Sequence, residues 1–256
     1  MKIKGIIMAG GKGNRLKPVT NVINKHFLNI YNKPMIYYPL SVLIYLGVKE
    51  ILIVCNKGDD VNFKKILDAT ERRNKITIKY KIQSNVGGGI AEGLILNKDF
   101  ISNSKKIVFI LGDNFFFGRS FPQQLNKILI SKNNKSFIFL SEVSNPQDYG
   151  IAYFKENKLF KIIEKPKNKK SNLAVTGLYI YDQNVFNFIK RIKPSKRNEL
   201  EISSINNILL KNGYLNHLRI GRAVTWFDLG SFENIYQCSE FIRIIESRQG
   251  QKISNI

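Results

Sequence analysis

The N-terminal segment of this chain runs from an apolar stretch directly into a cluster of glycines. Residues 3–9 read IKGIIMA, which is typical of a buried strand, and the chain continues GGKGNRLKP. Glycines have no β-carbon, so their backbone N–H groups can face a phosphate without a side chain in the way. Arg15 adds a planar pair of donors for phosphate oxygens, and Lys25 follows nearby. The segment predicts a phosphate-binding loop, and an ordinary glycine turn is the alternative.

Two well-known phosphate-binding motifs do not fit this segment. A dinucleotide fingerprint needs G-x-G-x-x-G and an acidic residue about 20 positions later, but Leu16 stands at the third glycine position and no such acid follows. A P-loop needs lysine after its second glycine, and Gly11 stands there when the pattern starts at Gly5. The two histidines, His26 and His217, lack partners at metal-ligand spacing and are not expected to be metal ligands or bases.

Strand and helix patterns alternate through the first half of the chain. Apolar and alternating stretches predict strands at residues 3–9, 50–55, 76–82, 106–112 and 136–143. Helices are predicted at residues 35–47, from about residue 90, and at 121–130. Alternation of this kind favours a parallel, doubly wound sheet, which binds ligands at the carboxyl ends of its strands. The loops after Ala9, Ile82 and Leu111 should therefore share one ligand-binding edge.

The second half is more mixed. Short strands are predicted at residues 151–154, 159–163, 174–181 and 216–220, and helices at 185–191 and 199–210. Ser231 is placed to cap a last helix that ends near Gly250. No linker or repeat separates the halves, so we expect one α/β domain, residues 1–256, with a substrate-binding second half.

Composition limits the classes of function. The chain has 256 residues, of which 43% are hydrophobic, and its formal net charge is +22. Such a charge would attract a polyanionic substrate or a nucleic acid. The basic residues are spread out without an interleaved aromatic stripe, so nucleic-acid binding is not expected. No apolar run is long enough to span a membrane, no signal peptide is expected, and two cysteines form no disulfide framework, which favours a cytoplasmic enzyme.

Several segments, taken together, resemble the sugar nucleotidyltransferase family, which activates sugar 1-phosphates. They are GIIMAGGKGNRLKPVT, YNKPMIYYPL, GGIAEGL, LGDNFFFG, DYGIAYF, IIEKPK, NLAVTGLYIYD, NELEISSIN and WFDLGSFENI. Each segment is modest alone, but their order covers nearly the whole chain. The similarity is greatest to the glucose-1-phosphate thymidylyltransferases, in their short form because the chain stops at Ile256.

The resemblance implies a Mg²⁺-dependent transfer of a nucleotidyl group from dTTP to a sugar 1-phosphate, with release of pyrophosphate. It implies a mostly parallel Rossmann-like nucleotide-binding sheet flanked by helices, mainly residues 1–143. A smaller β-rich part, residues 144–230, would bind the sugar phosphate, and residues 231–250 would form a C-terminal helix. The family also implies a homo-oligomer, a tetramer.

Site residues follow from the same resemblance. The triphosphate loop would comprise Met8, Ala9, Gly10, Gly11, Gly13 and Arg15, with Lys25 near the reacting centre. Gln83 and Gly89 would contact the base, and Asp113 and Asp228 would hold Mg²⁺, an ion that prefers oxygen ligands. The sugar phosphate would contact Asn114, Tyr149, Gly150, Glu164, Lys165 and Val175. Glu164 would accept sugar hydroxyls, and Lys165 would join Arg15 and Lys25 as a catalytic cation.

The chain departs from the family pattern at five places. They are a loop QSNVGGG that is one residue longer than expected, Glu92 for Gln, Asn29 for Pro, Ser203 and Ser204 for Thr-Asp, and Leu229 for a small residue. None of them removes a predicted phosphate or metal ligand. They leave open a cytidylyl- or uridylyltransferase for another phosphorylated metabolite. A catalytically inactive binding subunit is a further alternative, against which the retained aspartates and Arg15 argue.

Overall fold

The structure, a computed structural model, describes residues 2–83, 88–167, 170–190, 192–195 and 199–256. Three predictions fall wholly or partly outside these ranges. They are the extra residue in the loop QSNVGGG, the end of the predicted helix at Arg191, and the first residue of NELEISSIN, Asn198.

The strands and helices of the described residues are numbered here in chain order. The strands are β1 (Ile3–Ala9), β2 (Asn29–Ile30), β3 (Lys33–Pro34), β4 (Glu50–Cys55), β5 (Thr77–Ile82), β6 (Lys106–Leu111), β7 (Asn114–Phe117), β8 (Ser136–Glu142), β9 (Gly150–Lys155), β10 (Lys158–Glu164), β11 (Leu173–Asp182), β12 (Leu215–Arg219) and β13 (Thr225–Asp228). The helices are α1 (Tyr37–Tyr45), α2 (Asp59–Asn74), α3 (Glu92–Ile95), α4 (Lys98–Ile101), α5 (Phe121–Ile130), α6 (Phe186–Ile189), α7 (Ile202–Lys211) and α8 (Phe232–Gln249).

Four parallel strands form the nucleotide-binding half of the central sheet, in the order β6-β1-β4-β5. Met8 of β1 lies between Val54 and Leu111 in this ladder, so the carboxyl ends of the strands meet at one edge. The predicted parallel sheet is confirmed, as is the shared edge at which β1, β5 and β6 end.

The second half of the chain joins this sheet through β11, which runs antiparallel to β6. Strands β8 and β9 pair antiparallel with β11, and β10 extends the sheet beside β9. The register of β11 shifts between Val175 and Tyr179. A separate antiparallel pair, β7 and β13, sets Asn114 opposite Asp228. On this side β12 pairs parallel with β8. The sheet is therefore parallel on the nucleotide side and mostly antiparallel on the other.

Helices cover both faces of the sheet. Neighbouring residues of a strand point to opposite faces, and Ile6 and Ile7 of β1 accordingly belong to two different buried clusters. The Ile7 cluster packs against α1, α2 and α5, and the Ile6 cluster against α6 and α7. In a third cluster, Leu229 packs with Phe115 of β7 and Cys238 of α8. Leu229, which departs from the family pattern, thus fills an apolar core.

Several local predictions were wrong. The helix expected from residue 90 is split into two single-turn helices, α3 and α4. The 16-residue helix α2 was not predicted, because its sequence is mostly polar and it buries only Phe63, Leu67 and Thr70. The cap at Ser231 is confirmed: its hydroxyl accepts a hydrogen bond from the Asn234 N–H at 3.3 Å. Among the described residues, every helix is too short or too polar to cross a bilayer.

Candidate active site

A cleft of about 310 Å³ lies at the carboxyl edge of the parallel strands, bounded on its far side by the antiparallel strands. Most of the predicted site residues lie on its walls. They are Met8, Gly10, Gly11, Arg15, Lys25, Gln83, Gly89, Asp113, Asn114, Tyr149, Gly150, Glu164, Lys165, Val175 and Asp228. Residues from both halves of the chain therefore face one shared space.

Two predicted residues do not line this cleft. The side chain of Ala9 is fully buried in the Ile7 cluster, and its carbonyl accepts a hydrogen bond from the Asn24 side-chain amide at 2.9 Å. Gly13 lines an adjacent hollow of about 190 Å³, which Gly11 and Lys25 also line. Ala9 can therefore act only as part of the backbone that precedes the glycines.

The pairing of β7 with β13 brings Asp113 and Asp228 together. Asp228 lies opposite Asn114 in the ladder, and the Leu229 N–H donates to the Asp113 carbonyl at 2.7 Å. Each carboxylate has a cationic partner: Asp113 pairs with Lys25, and Asp228 pairs with Arg15 at 3.3 Å. The two predicted metal ligands and two of the predicted catalytic cations thus form one charged cluster.

The pKa values of the two carboxyls shift in opposite directions. Burial raises the pKa of Asp228, and the negative charge of Asp113 raises it further, against the effect of Arg15 and Lys25. Burial is the largest single effect on Asp113 and opposes its ionisation, but the charge and hydrogen bond of Lys25, together with His26 and the Asn114 hydrogen bond, outweigh it and lower the pKa of Asp113. The two carboxylates therefore repel each other although each has a cationic partner, and a cation bound between them would relieve that repulsion.

The ligand set fits Mg²⁺. Both donors are carboxylates, and no group of three or more potential metal-binding side chains occurs in the described part of the chain. Mg²⁺ characteristically takes one or two protein carboxylates and completes its coordination with phosphate oxygens and water. Asp113 and Asp228, on the same wall as the phosphate loop, offer that arrangement.

Arg15 lies against Gly230, immediately beyond β13. A β-carbon at position 230 would lie 2.1 Å from Arg15 Nη2, so a larger residue there would push the guanidinium aside. The Arg15 side chain remains 56% exposed, whereas that of Asp228 is only 12% exposed. Arg15 is thus held over the carboxylate with donors still open to the cleft.

Asn114 links the sugar side of the cleft to Asp113. Its Oδ1 accepts hydrogen bonds from Trp226 Nε1–H at 2.6 Å and from the Gly177 N–H at 3.0 Å. Its Nδ2 donates to Asp113 Oδ1 at 3.1 Å. The ring of Trp226 also makes an edge contact with Tyr149, with centroids 5.5 Å apart. Asn114, predicted as a sugar ligand, therefore also orients a carboxylate.

The predicted sugar-phosphate residues lie where β9 and β10 pair. Gly150 is opposite Glu164 in the ladder, and the Lys165 N–H donates to the Tyr149 carbonyl at 2.9 Å. Val175 reaches the same wall from β11. Glu164 and Lys165 therefore line the same cleft as Arg15 and Lys25.

A segment near residue 200 closes the remaining wall. The Leu200 N–H donates to the Gly88 carbonyl at 2.8 Å, and the Ala91 N–H donates to the Leu200 carbonyl at 3.0 Å. These bonds connect the loop before α3 with the start of α7, so Gly89 and Ser203 line the same cleft.

Sequence reasoning gave no role to several residues that line the cleft. They are Ile90, Leu111, Asp148, Ile162, Gly177, Tyr179, Glu199, Glu201, Ile202, Ser203, Asn206 and Trp226. Trp226 is the only tryptophan of the chain and stands in the WFDLG segment, which was a usable signal. Ser203 and Asn206 stand in NELEISSIN, but nothing in the segment shows that α7 turns them toward the cleft.

Comparison with known proteins identifies the family. The Nucleotidyl transferase family matches residues 4–244. Glucose-1-phosphate thymidylyltransferase of Neisseria meningitidis serogroup A is 40% identical over 98% of this chain and 86% of its own length. The enzyme of that name from Mycolicibacterium smegmatis is 37% identical, with the same coverage of both chains.

Solved structures agree with these matches. A Bacillus anthracis protein assigned as a glucose-1-phosphate thymidylyltransferase, solved in complex with sucrose, superposes with a TM-score of 0.85 at 36% identity, covering 94% of this chain and 95% of its own. A UDP-glucose pyrophosphorylase in complex with UDP-glucose shares the fold, with a TM-score of 0.82 at 23% identity, covering 95% of this chain and 99% of its own. The chain belongs to the nucleotidyl transferase family and is a nucleotidyltransferase.

Proposed function

We propose that this nucleotidyltransferase joins glucose 1-phosphate to dTTP, giving dTDP-glucose and pyrophosphate. The observation that carries the proposal is the charged cluster of Arg15, Lys25, Asp113 and Asp228, which lines one cleft together with Glu164 and Lys165. The names of the relatives at 35–40% identity support this pair of substrates.

In the reaction, a phosphate oxygen of glucose 1-phosphate attacks the α-phosphorus of dTTP. The new oxygen–phosphorus bond forms as the bond to the bridging oxygen of the β-phosphate breaks, and pyrophosphate leaves with that electron pair. No covalent intermediate on the enzyme is required. Catalysis then rests on holding two anions together and stabilising the charge at the reacting phosphorus.

The side chains of the cleft divide these tasks. Arg15 and Lys25 bind the triphosphate, Lys165 holds the sugar phosphate, and Glu164 accepts hydrogen bonds from sugar hydroxyls. Asp113 and Asp228 would hold Mg²⁺, which when bound neutralises phosphate charge and stabilises the charge that develops during transfer. Gln83 and Gly89, on the nucleotide side of the cleft, contact the base.

Pyrophosphate release from dTTP, UTP, CTP and ATP, each with a panel of sugar 1-phosphates, tests the proposal. The highest kcat/KM is expected for dTTP with glucose 1-phosphate. A clearly higher value for CTP or ATP would replace this activity with that of a different nucleotidyltransferase. A folded protein without activity toward any pair would instead support a binding subunit.

The resemblance also predicts a homotetramer, and the composition predicts a cytoplasmic location; both stay predictions. Analytical ultracentrifugation at several protein concentrations tests the first. Fractionation of the source cells tests the second.

A further inference from the structure

Asn56, immediately after β4, joins the phosphate loop to the residue proposed to contact the base. Its Oδ1 accepts a hydrogen bond from the Gly11 N–H at 3.2 Å, and its Nδ2 donates to the Gly11 carbonyl at 3.2 Å. The same Oδ1 accepts from Gln83 Nε2 at 2.7 Å. Asn56 is half-buried and was given no role by the sequence.

These bonds fix which way each amide faces. The backbone of Gly11 offers one N–H and one carbonyl, and these two groups cannot exchange places. Asn56 must therefore turn its oxygen toward the N–H and its nitrogen toward the carbonyl. Gln83 in turn must present its nitrogen to Asn56 Oδ1, so the orientation of the Gln83 amide is set by the backbone of the phosphate loop.

The Gln83 side-chain oxygen, Oε1, remains available to a ligand in the cleft. Gln83 is 8% exposed and lines the cleft, and within the described residues no hydrogen bond reaches its Oε1. The amide packs flat on Gly10, where a β-carbon would lie 2.3 Å from Oε1, so the side chain cannot move to that side. A fixed acceptor therefore lies at the base end of the cleft.

We propose that Asn56 is a specificity-determining positioning residue, which holds Gln83 Oε1 as an acceptor and thereby selects nucleotides whose ring nitrogen N3 carries a hydrogen. The proposal rests on the function proposed above, in which Gln83 contacts the base. Thymine and uracil both offer an N3–H, so either can donate to this oxygen. Cytosine presents a lone pair at N3, which the oxygen would leave unpaired and repel.

The proposal separates two kinds of discrimination. Asn56 should govern the choice of dTTP over dCTP, because these bases differ at N3. It should have no effect on the choice of dTTP over dUTP, because these differ only by the methyl group. The dTTP/dUTP ratio of kcat/KM is therefore an internal control in every variant.

The test compares Asn56→Ala with Asn56→Asp and Thr20→Val, using kcat/KM for dTTP, dUTP and dCTP with glucose 1-phosphate. Asn56→Ala frees Gln83 to turn, and the dTTP/dCTP ratio is expected to fall about tenfold or more. Asn56→Asp keeps the acceptor for Gln83, so the ratio should stay near that of the wild type even if its charge weakens triphosphate binding. Thr20, whose hydroxyl donates to the Gly13 carbonyl at 2.8 Å, tethers the loop without touching Gln83. Thr20→Val should change kcat/KM for all three nucleotides by the same factor, so the dTTP/dCTP ratio should not move.

A double mutant shows whether Asn56 acts through Gln83. Gln83→Ala and Asn56→Ala/Gln83→Ala are expected to have the same dTTP/dCTP ratio, since removing the amide leaves Asn56 nothing to orient. A further fall of the ratio in the double mutant would overturn the proposal. So would a folded Asn56→Ala enzyme that keeps the dTTP preference of the wild type, and the proposed function would then stand. A wild type that prefers dCTP would overturn both.

Discussion

Leu229 donates its backbone N–H to the carbonyl of Asp113 at 2.7 Å, one residue beyond the paired strands β7 and β13. This bond fixes the end of the ladder, and the side chain of Leu229 is fully buried beneath it. The backbones that carry Asp113 and Asp228 therefore cannot separate without breaking the ladder and exposing an apolar side chain. Two carboxylates that repel each other are held together by the fold, which is the arrangement expected of a site built for a cation.

Removing either carboxylate should abolish most of the activity. Asp113→Asn and Asp228→Asn are each expected to lower kcat roughly a hundredfold or more, because each takes a charged ligand from the Mg²⁺ site. Steady-state kinetics at saturating Mg²⁺ measures the change, and circular dichroism confirms folding. Asp68→Asn, at a half-exposed residue of α2 paired with Arg72, is the matched control and should be neutral.

The same site should need its metal. EDTA is expected to stop pyrophosphate release, and added Mg²⁺ should restore it. Wild-type turnover in a folded Asn variant would exclude that aspartate from the mechanism. Full activity in EDTA would exclude metal assistance.

Gly230→Ala should damage the phosphate site without removing a polar group. The new β-carbon would lie 2.1 Å from Arg15 Nη2, so the guanidinium must leave its place over Asp228. We expect kcat/KM for dTTP to fall about tenfold, the order of one charge-assisted hydrogen bond. Gly221→Ala is the control, because a β-carbon there meets no atom within 4 Å. Equal kinetics for the two variants would contradict the placement of Arg15.

Trp226→Phe should distinguish the contribution of the Trp226 hydrogen bond from that of its ring packing. The substitution keeps an aromatic ring beside Tyr149 but removes the Nε1–H that donates to Asn114 Oδ1 at 2.6 Å. Asn114 then holds Asp113 less firmly, so kcat should fall several-fold, and unfolding should cost about 1 kcal/mol less. Kinetics and urea unfolding measure the two effects, with Tyr45→Phe at an exposed aromatic as the control. A loss of stability with unchanged kcat would make Trp226 structural only.

Local sequence predicted the parts of the fold that local chemistry determines. The apolar run of β1, the glycines after it and the cap at Ser231 each depend on neighbours within a few residues, and each is found where expected. The carboxyl edge as the ligand site followed from parallel pairing alone. Helix α2 was not predicted, because its buried face is short and its composition is polar.

The contacts between the site residues could not be predicted from the sequence alone. The pairing of β7 with β13 joins segments far apart in the chain, and neither strand has a pattern that selects the other. Asn56 follows a predicted strand, but its contact with Gln83 arises only because β4 and β5 lie side by side. The burial of Ala9 likewise depends on the helices that cover β1.

The last prediction concerns acid stability and His26, whose side chain is buried beside Lys25. Burial, and then the charge of Lys25, lowers the pKa of His26 to about 3. Its Nδ1 lies 2.7 Å from Asn24 Oδ1, so the neutral ring donates there, and the buried Nε2 has no hydrogen-bond partner among the residues that the structure describes. Between about pH 6.5 and pH 3 the unfolded chain binds a proton at this histidine and the folded protein does not. The free energy of unfolding should therefore fall as the pH drops through this range, by up to about 1.4 kcal/mol per pH unit from this group.

His26→Gln, which cannot titrate, should flatten the pH dependence of the unfolding free energy measured by urea unfolding at pH 7, 6, 5 and 4. His217→Gln, at a partly exposed site, should leave most of the slope in place. Parallel slopes for the wild type and His26→Gln would show that His26 is not held neutral in the folded protein.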